Sequence, residues 1–128
     1  MAKVSRSREL LEFEIAFYEQ LLETHPAFLD ALMALGEAYT RRGLHEKGLA
    51  VDQRLVRLKG RDPIVWYNLA CSLSLLKRLD EALEALRRAI ELGYDDFDFL
   101  GRDPDLVPLR GSPQFRRFLD SLSPSKPS

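Results

Sequence analysis

The sequence predicts an all-α protein in which helical hairpins stack as a right-handed α-solenoid. Three observations support this fold class. Apolar residues recur every three or four positions over most of the chain, which is typical of amphipathic helices. The chain resembles itself after a shift of 34 residues. Proline and glycine stand where the apolar stretches end. We expect five main helices near residues 7–24, 27–42, 45–58, 63–77 and 80–92, followed by a short helical cap.

The strongest hairpin pattern begins at Asp62. Asp62 and Pro63 are typical of an N-cap followed by proline in the first helical turn. Asp80 is expected to cap the second helix, and Gly93 to end it in a left-handed conformation. The connection between the two helices is only long enough for an antiparallel turn. The sequence therefore predicts a helical hairpin here.

Small residues recur at matching positions of neighbouring hairpins. Under the 34-residue shift, Gly36 overlays Ala70 and Gly48 overlays Ala82. We expect Gly36 with Gly48, and Ala70 with Ala82, to lie where the two helices of one hairpin cross most closely, because a larger side chain would push those helices apart.

The apolar and small residues of the strongest hairpin resemble the tetratricopeptide repeat. They are Trp66, Leu69, Ala70, Ala82, Leu86 and Ala89. Residues 29–62 resemble a weaker copy, 63–96 the stronger one, and 7–26 the second half of a truncated repeat. The resemblance implies about 2.5 repeats in one domain, residues 1–122. It also implies a non-enzymatic adaptor or scaffold that binds a peptide or protein.

Residues 97–122 depart from the repeat pattern. An aspartate-proline-aspartate-leucine turn at 103–106 precedes a helix opened by Ser112 and Pro113. This arrangement resembles the capping segment that often follows bacterial repeats of the same family. A stacked array needs such a cap, since its last hairpin otherwise exposes an apolar face. Residues 123–128 are expected to form a disordered tail.

The first helix of each repeat is expected to line a concave face that binds a peptide or protein. The residues turned towards it are Met33, Glu37, Thr40, Arg41, Tyr67, Asn68, Cys71 and Ser74. Some relatives grip the C-terminal carboxylate of chaperones on this face, and Asn68 matches one residue of their set. Glu37 would repel a carboxylate, which disfavours that ligand. As an alternative, the groove is empty or filled by the protein's own capping segment.

A second hypothesis is a self-associating assembly module. Leu10, Phe13, Phe17 and Leu21 lie along one line of the N-terminal helix, while a second apolar line packs on the next helix. An uncovered apolar line usually marks an interface, so we expect a homodimer or a partner helix here. Alternatively, the segment before Glu9 folds back over it, or the two phenylalanines are half exposed.

Asp52 stands where the repeat pattern expects an aromatic residue or leucine. It is either a buried anion paired with a nearby arginine or a solvated residue on a loosely packed helix. We favour the solvated position, because an unpaired buried carboxylate is costly.

Composition excludes several classes of function. The net charge is -1, so neither nucleic acid nor a membrane surface is expected as a partner. Cys71 is the only cysteine, which excludes an internal disulfide and favours a reducing, cytoplasmic location. No signal peptide is recognisable, and no apolar run approaches the roughly 20 residues of a membrane helix.

No motif predicts catalysis, a cofactor or a metal. The sequence contains no glycine-rich phosphate loop, no Ser-His-Asp set and no paired catalytic carboxylates. Asp96, Asp98 and Gly101 resemble the start of a calcium loop, but Val107 stands where a glutamate ligand is required. The two histidines lack a third ligand at metal spacing. We therefore expect no enzyme.

Overall fold

A computed structural model describes the backbone of residues 2–122 and the side chains of residues 7–122. The predicted all-α class is confirmed, because the described residues form helices and turns without a strand. The helices are α1 (Ala2–Thr24), α2 (Leu29–Arg42), α3 (His45–Leu58), α4 (Pro63–Leu75), α5 (Leu79–Glu91), α6 (Phe97–Leu100), a 3₁₀ turn (Pro104–Leu106), α7 (Val107–Arg110) and α8 (Pro113–Leu122). The expected tail at 123–128 lies outside the described residues.

Two of the three predicted capping residues around α4 and α5 act as expected. Asp62 caps α4 by accepting a hydrogen bond from the backbone N–H of Ile64 at 2.9 Å. Gly93 adopts a positive φ of 115° just after α5, as a C-terminal glycine does. The assignment of Asp80 as an N-cap was wrong. Helix α5 already begins at Leu79, so Asp80 lies in its first turn.

The hairpins α2–α3 and α4–α5 stack through contacts between α3 and α4, and α1 packs on α2. Their crossings are tight. A Cβ added to Gly36 would lie 3.3 Å from Val51 Cγ1, which is closer than ordinary contact, whereas one added to Gly48 would make ordinary contact, 3.8 Å from the carbonyl oxygen of Gly36. Ala70 and Ala82 are completely buried. Small residues therefore set the spacing within both hairpins.

The capping segment covers the last hairpin. Leu100, Leu106, Leu109 and Phe115 are buried in one cluster with residues of α4 and α5. Leu86 lies completely buried beneath them, so the end of the array has an apolar core of its own. The predicted helical cap is present as α6, the 3₁₀ turn, α7 and α8.

Replacing Gly36 by leucine should destabilise the protein by about 1–3 kcal/mol, because the new side chain must displace Val51. Ala82→Leu should cost a similar amount at the second crossing. Urea unfolding followed by circular dichroism measures both changes. Ala16→Leu, on the exposed side of α1, is the matched control and should change stability little. A wild-type midpoint for both crossing variants would contradict this packing.

Candidate functional site

A concave groove of about 720 Å³ runs between α2 and α4 and ends at the capping segment. It contains most of the residues that the sequence placed on the binding face. Those that line it are Met33, Glu37, Thr40, Arg41, Tyr67, Asn68 and Cys71. The capping residues Phe99, Asp103 and Asp105 also line it, and the sequence pattern did not assign them to the site.

The assignment of Ser74 to the groove was wrong. Its side chain is completely buried, and its hydroxyl oxygen accepts a hydrogen bond from the backbone N–H of Leu109 at 3.1 Å. The capping segment therefore occupies the C-terminal end of the inner face of α4. The alternative in which the capping segment fills the groove therefore holds for this end only. The end of the groove at α2 stays open.

Tyr67 forms the boundary between the cap and the open groove. Its ring stacks on Tyr94 with centroids 4.3 Å apart, and its hydroxyl donates to Asp103 Oδ2 at 2.5 Å. Burial and that hydrogen bond raise the pKa of Tyr67 far above its usual value, so the phenol keeps its proton. Tyr67 is buried and acts as a wall of the groove.

Cys71, Asp103 and Asp105 each place one potential metal-ligand atom within 4.8 Å of the others. Hydrogen bonds already account for the arrangement. Asp103 Oδ2 accepts from Tyr67 and from the Cys71 thiol, while Oδ1 accepts from the backbone N–H of Asp105. Burial and the neighbouring carboxylates raise the pKa of the Cys71 thiol, which disfavours the thiolate that a metal needs.

The open part of the groove is polar at its rim. Glu37 and Arg41 are exposed, and Met33, Thr40 and Asn68 are half-buried between them. The Arg41 guanidinium contacts Glu14 of α1 at 3.2 Å and Glu37 at 3.9 Å. These side chains present apolar, amide and charged atoms to a ligand within one concavity.

Asp52 was expected to be solvated, and that expectation was wrong. It is only 6% exposed and lines the inner side of the groove. Its Oδ2 accepts a hydrogen bond from the Ser72 hydroxyl at 2.5 Å, and within the described side chains it pairs with no cation. Burial raises the pKa of Asp52 to about 6, against the smaller opposing effect of Ser72. The sequence signal that could have indicated this burial is that Asp52 stands where the repeat pattern expects an aromatic residue or leucine.

A second surface lies on α1. Leu10, Phe13 and Phe17 are 65%, 64% and 54% exposed, whereas Leu21, placed on the same line, is half-buried against the core formed by α1, α2 and α3. The opposite line of α1 packs on that core through Ile15 and other apolar residues. Among the side chains of residues 7–122, no other residue covers these three large apolar side chains.

Comparison with known families agrees with this architecture. Residues 15–63 and residues 63–92 each match a family model described as tetratricopeptide repeat. The chain belongs to the tetratricopeptide repeat family. The two matches cover α2 to α5 and the part of α1 that follows Glu14, so they include both hairpins but neither the capping segment nor Leu10 and Phe13.

Two curated proteins are similar to this chain in sequence. A chloroplastic protein of Arabidopsis thaliana is 32% identical over 96 residues, which is 70% of this chain and 28% of that protein. A TPR repeat-containing protein of Methanocaldococcus jannaschii is 31% identical over 61 residues, which is 48% of this chain and 11% of that protein. This chain thus spans less than a third of the length of each relative.

None of the helices formed by residues 2–122 combines the length and apolar character needed to cross a bilayer.

Asp52→Asn should stabilise this repeat protein at neutral pH. A carboxyl whose pKa is higher in the folded state is penalised once ionised, so stability falls as pH rises from about 4 to about 6. The asparagine keeps the Ser72 hydrogen bond without the charge. We expect a gain of roughly 2–3 kcal/mol at pH 7.5 that vanishes near pH 4.

Urea unfolding at several pH values measures this difference. Asp120→Asn, an exposed change of the same chemistry on α8, is the control and should show no such pH-dependent gain. An Asp52→Asn variant with wild-type stability at every pH would mean that the carboxyl is solvated when folded.

Proposed function

We propose that this protein is a non-enzymatic protein–protein interaction module that holds a peptide or protein segment in the groove between α2 and α4. Tetratricopeptide repeats generally mediate protein–protein interactions. The observation that carries the proposal is the concave groove of about 720 Å³, whose α2 end the capping segment leaves uncovered. Its size and mixed lining suit a few side chains of an extended or helical segment.

The groove is unsuited to the C-terminal carboxylate that some relatives of this fold bind. Glu37 stands exposed at its rim, and Asp52, Asp103 and Asp105 lie deeper. A carboxylate entering this concavity would be repelled and would also lose its hydration. A ligand of different charge fits this surface better.

The proposal of a non-enzyme is supported by the state of the side chains in the groove. Cys71 is a candidate nucleophile, but burial favours its neutral thiol. Asp103 is engaged by its hydrogen bonds to Tyr67 and to the backbone of Asp105. These groups hold the capping segment in place. That structural role explains their presence in the groove without a catalytic reaction.

Filling the groove should weaken ligand binding. Peptides selected by the full chain from a displayed random library should bind Asn68→Trp at least about tenfold more weakly, since the indole occupies the space of the ligand. Glu84→Trp, an exposed position on α5 away from the groove, is the matched control and should bind as wild type does. Fluorescence polarisation measures both. Failure to select any peptide, or equal binding by the two variants, would contradict the proposal.

A second candidate function is self-association through α1. The exposed Leu10, Phe13 and Phe17 favour it, because uncovered large apolar residues commonly mark an interface. We propose a two-fold homodimer in which α1 packs against its symmetry copy, the commonest closed assembly.

Light scattering at micromolar concentration should then give twice the mass of one chain. The double variant Phe13→Glu, Phe17→Glu should give a single-chain mass with unchanged helicity, since both side chains lie outside the core. A wild-type protein that scatters as one chain at these concentrations would exclude the dimer. The cytoplasmic location and the absence of a nucleic-acid or membrane partner stay predictions of the composition.

A further inference from the structure

The groove carries an excess of negative charge. Among the described residues that line it, Glu37, Asp52, Asp103 and Asp105 are acidic, and Arg41 is the one basic side chain. That guanidinium is held at the rim by Glu14 at 3.2 Å and Glu37 at 3.9 Å. Arg41 is thus engaged outside the deeper carboxylates, which form no ion pair within residues 7–122.

Asp52 is independent of the hydrogen-bonded cluster at the cap and points to a ligand. Its side chain belongs to α3, is more than nine-tenths buried and lines the groove. Ser72 donates to Oδ2, but no described group donates to Oδ1. Among the described side chains Oδ1 is not an enclosed unpaired atom, so it is open to a donor that enters the groove.

Gly36 leaves this acceptor atom open. A Cβ at that position would stand 3.4 Å from Asp52 Oδ1, so any side chain at position 36 would begin to cover the carboxylate. Gly36 and Asp52 line the same groove. The small residue that allows α2 and α3 to cross closely therefore also keeps Oδ1 facing the concavity.

We propose that the groove recognises a basic segment of a partner protein, whose lysine or arginine side chain enters beside Gly36 and pairs with Asp52. This inference rests on the proposed function of the groove. Met33, Ala34 and Leu55 supply apolar atoms along the path. The long aliphatic stem of a lysine or arginine would contact these apolar atoms, and its terminal cation would reach the Asp52 carboxylate. Asp105, on the capping side, adds negative charge that favours the same ligand.

A basic side chain fits this place better than a metal ion. Calcium sites gather several protein oxygens around one point, whereas Asp52 offers a single open oxygen. An ammonium or guanidinium group needs only a strong acceptor and donates hydrogen bonds to it. The bound cation would also remove the cost of the buried charge.

The test selects peptides from a displayed random library on this 128-residue chain and on its Asp52→Asn and Asp120→Asn variants. Wild type and Asp120→Asn should enrich peptides with lysine or arginine at one recurring position, and Asp52→Asn should not. For the best peptide, replacing that residue by norleucine should weaken binding to wild type by about tenfold, but to Asp52→Asn by less than about threefold. Fluorescence polarisation measures the four affinities.

The possible results separate this inference from the function on which it rests. Selected peptides that lose binding to Asn68→Trp but carry no basic residue would overturn the basic specificity and leave the groove as a binding site. Equal weakening by norleucine in wild type and Asp52→Asn would overturn the pairing with Asp52 in the same way. If no peptide is selected at all, the proposed function and the basic specificity are both wrong. Circular dichroism confirms that each variant is folded.

Discussion

The attachment of the capping segment to α4 is the interaction on which the shape of the molecule depends. Asp103 accepts hydrogen bonds from Tyr67 and Cys71 of α4, and also from its own turn at Asp105. Arg110 strengthens the turn by donating to the carbonyl oxygen of Asp103 at 2.7 Å. Because this turn carries apolar residues onto the last hairpin, the same contact closes the core and ends the groove.

The attachment of the capping segment makes the groove more negatively charged. The repeats alone contribute Glu37, Arg41 and Asp52, and the capping turn adds two aspartates. Asp52 is the costly member, since burial raises its pKa to about 6 without a compensating cation nearby. A residue that lowers the stability of the fold, and whose cost no stabilising interaction offsets, is expected at a functional site. The pairing of Asp52 with Ser72 of the next repeat holds the carboxylate in one orientation.

The two ends of the solenoid differ for a simple physical reason. A stacked array has two terminal faces, and each must be covered or used. The C-terminal face is covered by α6 to α8, which belong to the same chain. On α1, Phe13 and Phe17 stay exposed. The exposed residues of α1 and the groove between α2 and α4 are separate surfaces.

The sequence by itself determined the helices, their pairing and the family, because apolar periodicity, capping residues and small residues at crossings act over short distances along the chain. It also named seven of the fifteen described residues that line the groove. Only the tertiary structure decided the environments of Ser74 and Asp52, one covered by the cap and the other enclosed between α3 and α4. Burial of a polar side chain depends on neighbours that are 20 or 35 residues away in the chain, and no local pattern reports their approach.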